Sequence, residues 1–413
     1  MTSGSENNYQ GLRTAFGFMA MLFFMWGALV SLNDILIPHF KKVFELNYTQ
    51  TMLIQFCFFG AYFVMAVPAS RVVQSIGFKR GIILGLGIIG IGCLMFLPAA
   101  NLISYALFLF GLFLIATGSV VLQVVGNPYV VILGRPETAS SRLNLAQGIN
   151  SLGTTLAPLL GGIIILGEYQ SDAEALAAVQ GPYLGLALFA FLIAMIFFFS
   201  NLPPIMHTGK EQVEGNVLKF KQLRLGVIAL TLYVGAEVTI GSFIVNFLGE
   251  SHIAGMTHEA ASKYIPMYWG GLMVGRFVGS AILQKYRAAL VLSISALAAI
   301  FLLCVTLLTS GYVSLWAMLL TGLFNSIMWS NIFALSIDGL GKYTIKGSGI
   351  LVMAPVGGAI FPLLQGVLAD QPWIGLHYSY ILPLLAYAFI LYYGLFGYKP
   401  VLEENEVAAS GVE

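Results

Sequence analysis

Continuous apolar runs of membrane length recur along this chain from near residue 14 to near residue 398, with only short polar pieces between them. A run of about 20 apolar residues spans the hydrocarbon core of a bilayer as one helix, so 413 residues have room for about twelve such helices. The runs are continuous rather than alternating every second residue, which excludes a β-barrel. Charged residues make up 9% of the chain against about 25% in soluble domains, so a soluble domain with one anchor is excluded too. The expected fold is all-α and integral to the membrane. Its spans fall near 14–38, 50–76, 81–100, 103–133, 142–167, 183–203, 223–249, 262–284, 288–309, 312–338, 346–369 and 374–398. The polar start, MTSGSENNYQGLR, lacks a signal-peptide pattern, so the first run is expected to stay as a span.

Basic residues orient the spans. An even number places both termini on one side, and all but Lys41, Lys42 and Lys263 of the 19 Lys+Arg fall there, so both termini are expected in the cytoplasm. A net charge of +1 implies no nucleic-acid partner. Cys57, Cys93 and Cys304 are scattered within apolar runs as small core residues rather than as a disulfide or metal set. His39, His252, His258 and His377 fall at outer ends without metal-ligand spacing. No Walker loop and no nucleophile–base constellation is present, so neither ATP-driven pumping nor enzymatic catalysis is suggested, and no cofactor is implied.

The longest polar connection lies at mid-chain. Residues 1–203 are expected to form one six-helix bundle, 204–222 a cytoplasmic linker, and 223–413 a second six-helix bundle with a short tail. The halves echo each other: LGTTLAPLLGGIII (152–165) aligns with VGGAIFPLLQGVLA (356–369), matching Gly153 with Gly357 and Pro158 with Pro362. Two parallel six-helix halves describe the major facilitator architecture, in which solutes bind near the bilayer midplane.

Few ionisable groups lie inside the spans, chiefly Asp34 and Glu237. A charge there costs about 2.5–3.5 kcal/mol on insertion scales and is usually kept for a task. A desolvated carboxylate favours its protonated form and can carry a proton. Flanked by oxygens, an ionised one can hold Na⁺, so Asp34 is a candidate for either ion. Amides are more plentiful, among them Gln123, Gln147, Asn150, Asn246, Asn325 and Asn331, with Asn33 beside Asp34. Each offers donors and an acceptor suited to a neutral polyhydroxyl solute, and Trp269 offers a flat face for a sugar ring. The plainer role for any one of them is a hydrogen bond between helices.

The stretches WGALVSLNDILIPHFKKVFELNYTQTMLIQFCFFGAYF, LQVVGNPYVVILG, SSRLNLAQGINSLGT and GSGILVMAPVGGAIFPLLQGVLAD resemble the fucose permease and glucose/galactose transporter branch of the major facilitator superfamily. The likeness runs over nearly the whole chain. It implies cation-coupled uptake of a hexose (glucose, galactose, mannose or N-acetylglucosamine) across a bacterial inner membrane by alternating access. It places Asp34 on the family's essential helix 1 acid, and Asn33, Gln147 and Asn150 on its sugar-facing positions. Where fucose permease has a second acid on helix 4, this chain has Gln123, which cannot carry a proton. The resemblance therefore favours Na⁺ over H⁺, with Glu237 serving ion or sugar. A proton-coupled fucose symporter and, further off, a proton-coupled exporter are the competing readings. A monomer in the lipid bilayer is the default for this architecture.

Overall fold

The computed structural model describes residues 3–46, 48–165, 169, 171–200 and 215–399. Among these the chain is all-helical, in twelve long segments. They are α1 (Ser3–Val43), α2 (Tyr48–Ile76), α3 (Phe78–Leu94, followed at once by Phe96–Asn101), α4 (Tyr105–Ile132), α5 (Ala139–Ile165) and α6 (Asp172–Phe199). After the mid-chain connection come α7 (Lys221–Gly249), α8 (Ile265–Ile282), α9 (Ala288–Leu308), α10 (Gly311–Asn325 and Met328–Ile337), α11 (Thr344–Leu351 and Gly357–Ala369) and α12 (Gly375–Gly397). Ten of these segments are long and apolar enough to cross a membrane; the other two, α5 and α8, carry Gln147, Asn150 and Arg276.

Two elements differ from their sequence expectation. The α10 run was expected unbroken, yet the helix stops at Asn325 and restarts at Met328. The Tyr233 hydroxyl donates to the Asn325 carbonyl at 3.0 Å, and the Ser326 hydroxyl donates to the Leu323 carbonyl at 2.6 Å. Both side chains compete with the helix ladder for its carbonyls. The α11 run is interrupted over Val352–Val356, where Pro355 has no N–H to give to the preceding turn.

The structure divides into two compact units. The first holds the described residues up to 212 with Arg276–Gln284 and Ser348–Val356; the second holds Val213–Gly275, Lys285–Gly347 and the described residues from Gly357 on. Lipid tails are as apolar as Leu, so helices adhere in a membrane by close backbone approach rather than by hydrophobic expulsion. In the first unit α3 and α4 meet along glycines. A methyl on Gly92 would sit 2.9 Å from the Gly111 carbonyl, and one on Gly118 would sit 2.6 Å from the Gly85 carbonyl. Phe96 stacks on Tyr183 of α6 at 3.8 Å between ring centroids, closing the other flank.

The repeated glycines do the same job in each unit. Gly153 of α5 lies against the Phe24 carbonyl of α1, leaving no room for a Cβ. Gly357 of α11 lies in the same way against the Thr231 carbonyl of α7.

Gly153→Ala is expected to destabilise the protein by roughly 1–3 kcal/mol, the usual cost of overpacking. Gly60→Ala, where no atom lies within 4 Å of an added methyl, serves as the unaffected control. Thermal unfolding in detergent measures both.

Candidate functional site

In the first unit the polar groups gather where α1, α2, α4 and α5 pack. Gln123 of α4 is buried, and its Nε2 donates to the Tyr62 hydroxyl of α2 at 2.8 Å. That hydroxyl also lies within reach of Ser119, one turn earlier on α4, and of Trp26 on α1. One turn after Gln123, Asn127 is fully buried with no partner for either amide atom. On α5, Asn150 donates from Nδ2 to the Phe23 carbonyl of α1 at 2.9 Å. Gln147, a turn earlier, is buried with its Nε2 unpartnered. A buried donor or acceptor without a partner costs about 1–3 kcal/mol, so this set is poised for a hydrogen-bonding solute.

Arg276 organises the next stretch of α5. Its guanidinium donates to the Gln147 carbonyl at 3.3 Å and to the Ser151 hydroxyl. Asn144 returns a bond to the Arg276 carbonyl at 2.6 Å. Ser141 and Ser280, one turn further along each helix, each donate to the other's carbonyl, at 2.7 and 3.0 Å. In the sequence Arg276 counts only as one of the charges expected on the cytoplasmic side. Its place six residues inside an apolar helix was the signal that a partner awaited it.

In the second unit Glu237 of α7 sits about nine-tenths buried among tyrosines. Its carboxylate interacts electrostatically with Tyr268 of α8 and Tyr387 of α12. The Tyr268 hydroxyl donates to the Glu237 backbone carbonyl at 3.0 Å and accepts from Asn325 Nδ2 at 3.0 Å. Asn325 stands at the break in α10, with its Oδ1 buried and unpartnered. Trp269 is 43% exposed, packs edge-on to Tyr268, and would meet any methyl added to Gly241 of α7.

The structure thus brings Gln123, Gln147 and Asn150 to adjoining helices of one unit, and Glu237, Asn325 and Trp269 together in the other. It leaves two candidates outside these groups. Asn331 donates to the Ala288 carbonyl at 3.3 Å, tying α10 to the head of α9. Asn246 is exposed, nine residues beyond Glu237 or about 13 Å along α7. The side chains of Asn33 and Asp34 lie outside the described residues, although their backbone continues α1. Among the described residues no three His, Cys, Asp or Glu side chains form a metal-holding group. Sequence reasoning missed the tyrosines. A tyrosine inside an apolar run looks like core until its hydroxyl is seen to need a partner.

Residues 14–354 match the family model described as Major Facilitator Superfamily. The chain belongs to that superfamily. It is 49% identical over 403 residues to a protein named glucose/galactose transporter from Brucella abortus, covering 96% of each. It is 42% identical to a putative glucose/galactose transporter from Helicobacter pylori, over 95% of this chain and 98% of the relative. The crystal structure of the facilitator FucP in its outward conformation superposes with a TM-score of 0.86 at 30% identity, covering 94% of this chain and 99% of that one. These matches place the chain in the glucose/galactose transporter and fucose permease branch, as a multi-pass membrane transporter rather than an enzyme.

Tyr268→Phe removes the acceptor for Asn325 Nδ2 and the donor to the Glu237 carbonyl. The expected loss is about 1–3 kcal/mol of stability, read by thermal unfolding. Tyr264→Phe, half-buried in the turn just before that helix, is expected to have little effect.

Proposed function

We propose that this transporter imports a hexose of the glucose/galactose class across the bacterial inner membrane, coupled to a cation, by alternating access. The observation that carries the reading is the neutral amide set of α4 and α5, in which Gln147 and Asn127 keep unpartnered hydrogen-bonding atoms. Such groups match the hydroxyls of an uncharged sugar and reject a greasy solute, since burying them unpaired is costly. The names carried by the Brucella and Helicobacter relatives point to the same substrates. Tyr62, holding Gln123, and Asn150, pinned to α1, would orient the sugar. In the second unit Trp269, Asn325 and Glu237 are sugar candidates in their own right, and Asn33 is a further candidate in the first. On this reading Asn246 and Asn331 are the weakest candidates for contact. The charge asymmetry of the chain supports cytoplasmic termini.

Coupling is assigned to Asp34, with Glu237 as the second acid. Gln123 supports Na⁺ over H⁺, because an amide hydrogen-bonded to a tyrosine hydroxyl neither needs nor carries a proton. The competing reading, a proton-coupled fucose symporter, draws on the 32% identity to the Escherichia coli L-fucose-proton symporter.

Proteoliposomes separate these readings. An inward Na⁺ gradient is expected to drive accumulation of labelled glucose and galactose, and Asp34→Asn to abolish it. Accumulation driven by a proton gradient alone would reject the sodium assignment, and accumulation of fucose in place of glucose would reject the substrate. Gln147→Ala is expected to raise the KM for sugar about tenfold, equivalent to about 1.4 kcal/mol, with little change in folding.

A further inference from the structure

The second unit holds one more organised cluster, at the end that the charge asymmetry assigns to the outside. It joins residues 125 positions apart. His252 lies in the turn after α7, and His377 in the first turn of α12. Their rings stack with centroids 5.0 Å apart, and His252 Nε2 lies 2.9 Å from His377 Nδ1. His377 Nε2 lies 2.7 Å from the Thr306 carbonyl oxygen of α9.

These contacts fix the hydrogens. A carbonyl only accepts, so His377 Nε2 must carry a proton. In the neutral ring Nδ1 is then a lone pair, and His252 Nε2 must be the donor to it. That leaves His252 Nδ1 as the open basic position of the chain, 3.8 Å from a Glu250 carboxylate oxygen.

We propose that this pair is a proton-operated clasp. A first proton goes to His252 Nδ1, where it faces Glu250 and every existing bond survives. A second proton can go only to His377 Nδ1, replacing the lone pair that holds His252 and setting two cations face to face. The rings must then part. The adjoining cavity of about 220 Å³ is lined by Glu250, Thr309, Ser310 and Tyr378 beside the two histidines, and its sole carboxylate, Glu250, already faces His252 Nδ1. Tyr378 lies flat beside His377, 5.1 Å away, and the end of α9 with the two residues after it contributes the Thr306 carbonyl, Leu307, Leu308 and the hydroxyl residues Thr309 and Ser310. Histidine is the side chain that changes charge between about pH 5 and 8, so outside acidity is the natural trigger.

The clasp holds more than two rings. The His252 carbonyl accepts the Gly311 N–H at 3.0 Å, and Gly311, at φ +67°, opens α10. Parting of the pair therefore loosens both the 250–256 turn and the head of α10.

The test is hydrogen exchange of the full chain in lipid nanodiscs, corrected for intrinsic rates, at pH values of about 7.5 and 5. Exchange over 250–256 and 306–312 is expected to rise several-fold at the lower pH relative to the rest of the chain. His377→Gln keeps a donor for Thr306 and an acceptor for His252 but takes no proton, so its exchange is expected to stay flat. Equal protection of the native chain at both pH values, or an equal rise in His377→Gln, overturns the proposal. If that variant does not fold, histidine ¹⁵N shifts of the native chain decide. His377 Nδ1 must gain a proton as exchange rises, and a pair still singly protonated at the lower pH overturns the clasp. The readout needs no sugar, so its failure leaves the transport reading standing.

Discussion

Everything in this molecule hangs on two places where a carbonyl of one helix rests on the bare α-carbon of another. Phe24 of α1 against Gly153 of α5, and Thr231 of α7 against Gly357 of α11, set helix separations that a single methyl would spoil. In water such contacts would be a refinement of a core already driven together. In hydrocarbon they are the adhesive, because burying a leucine among leucines gains nothing over burying it among lipid tails. The polar groups follow from them: Asn150 reaches the Phe23 carbonyl only because α5 lies this close to α1.

The second constraint is hydrogen bonding in a dry medium. Most polar side chains on the spans have been given a neighbour to bond, and the exceptions are informative. Asn127 and Gln147 Nε2 are among the buried polar atoms without partners, as are Asn144 Oδ1 and both amide atoms of Gln365. The contrast between Gln123, whose Nε2 is held by the Tyr62 hydroxyl, and Gln147, left with an unpartnered Nε2 one helix away, separates a side chain that shapes the site from one available to a guest.

Much of this was legible in the sequence. Hydropathy and charge count gave spans and their number, because both are properties of residues summed along the chain. The Gly153–Gly357 correspondence was legible because a repeat keeps its contacts as well as its letters. What stayed hidden were pairings between distant positions. Tyr62 with Gln123, Tyr268 with Asn325, Arg276 with Ser151 and His252 with His377 are separated by 61, 57, 125 and 125 residues. Nothing local marks one member for the other. Asn325 and Asn331 show the limit: they are equally apt as amides in one apolar run. Only the break at Ser326 and the Ala288 carbonyl send one toward Glu237 and the other to a neighbouring helix end. The break was hidden in part for the same reason, since one of its two causes is the Tyr233 hydroxyl on α7.

The interruption of α10 also changes how the helix can move. An unbroken span transmits a tilt along its whole length, so one end cannot shift without the other. Here the first piece ends at Asn325, while the second piece is tied at Asn331 to the head of α9. The joint at Ser326 and Ile327 makes α10 two short levers with separate pivots. Any tilt of the first lever would move Asn325 relative to Tyr268 without dragging the second from its place on α9, because torsions at two residues can take up what a continuous rod would have to bend to absorb.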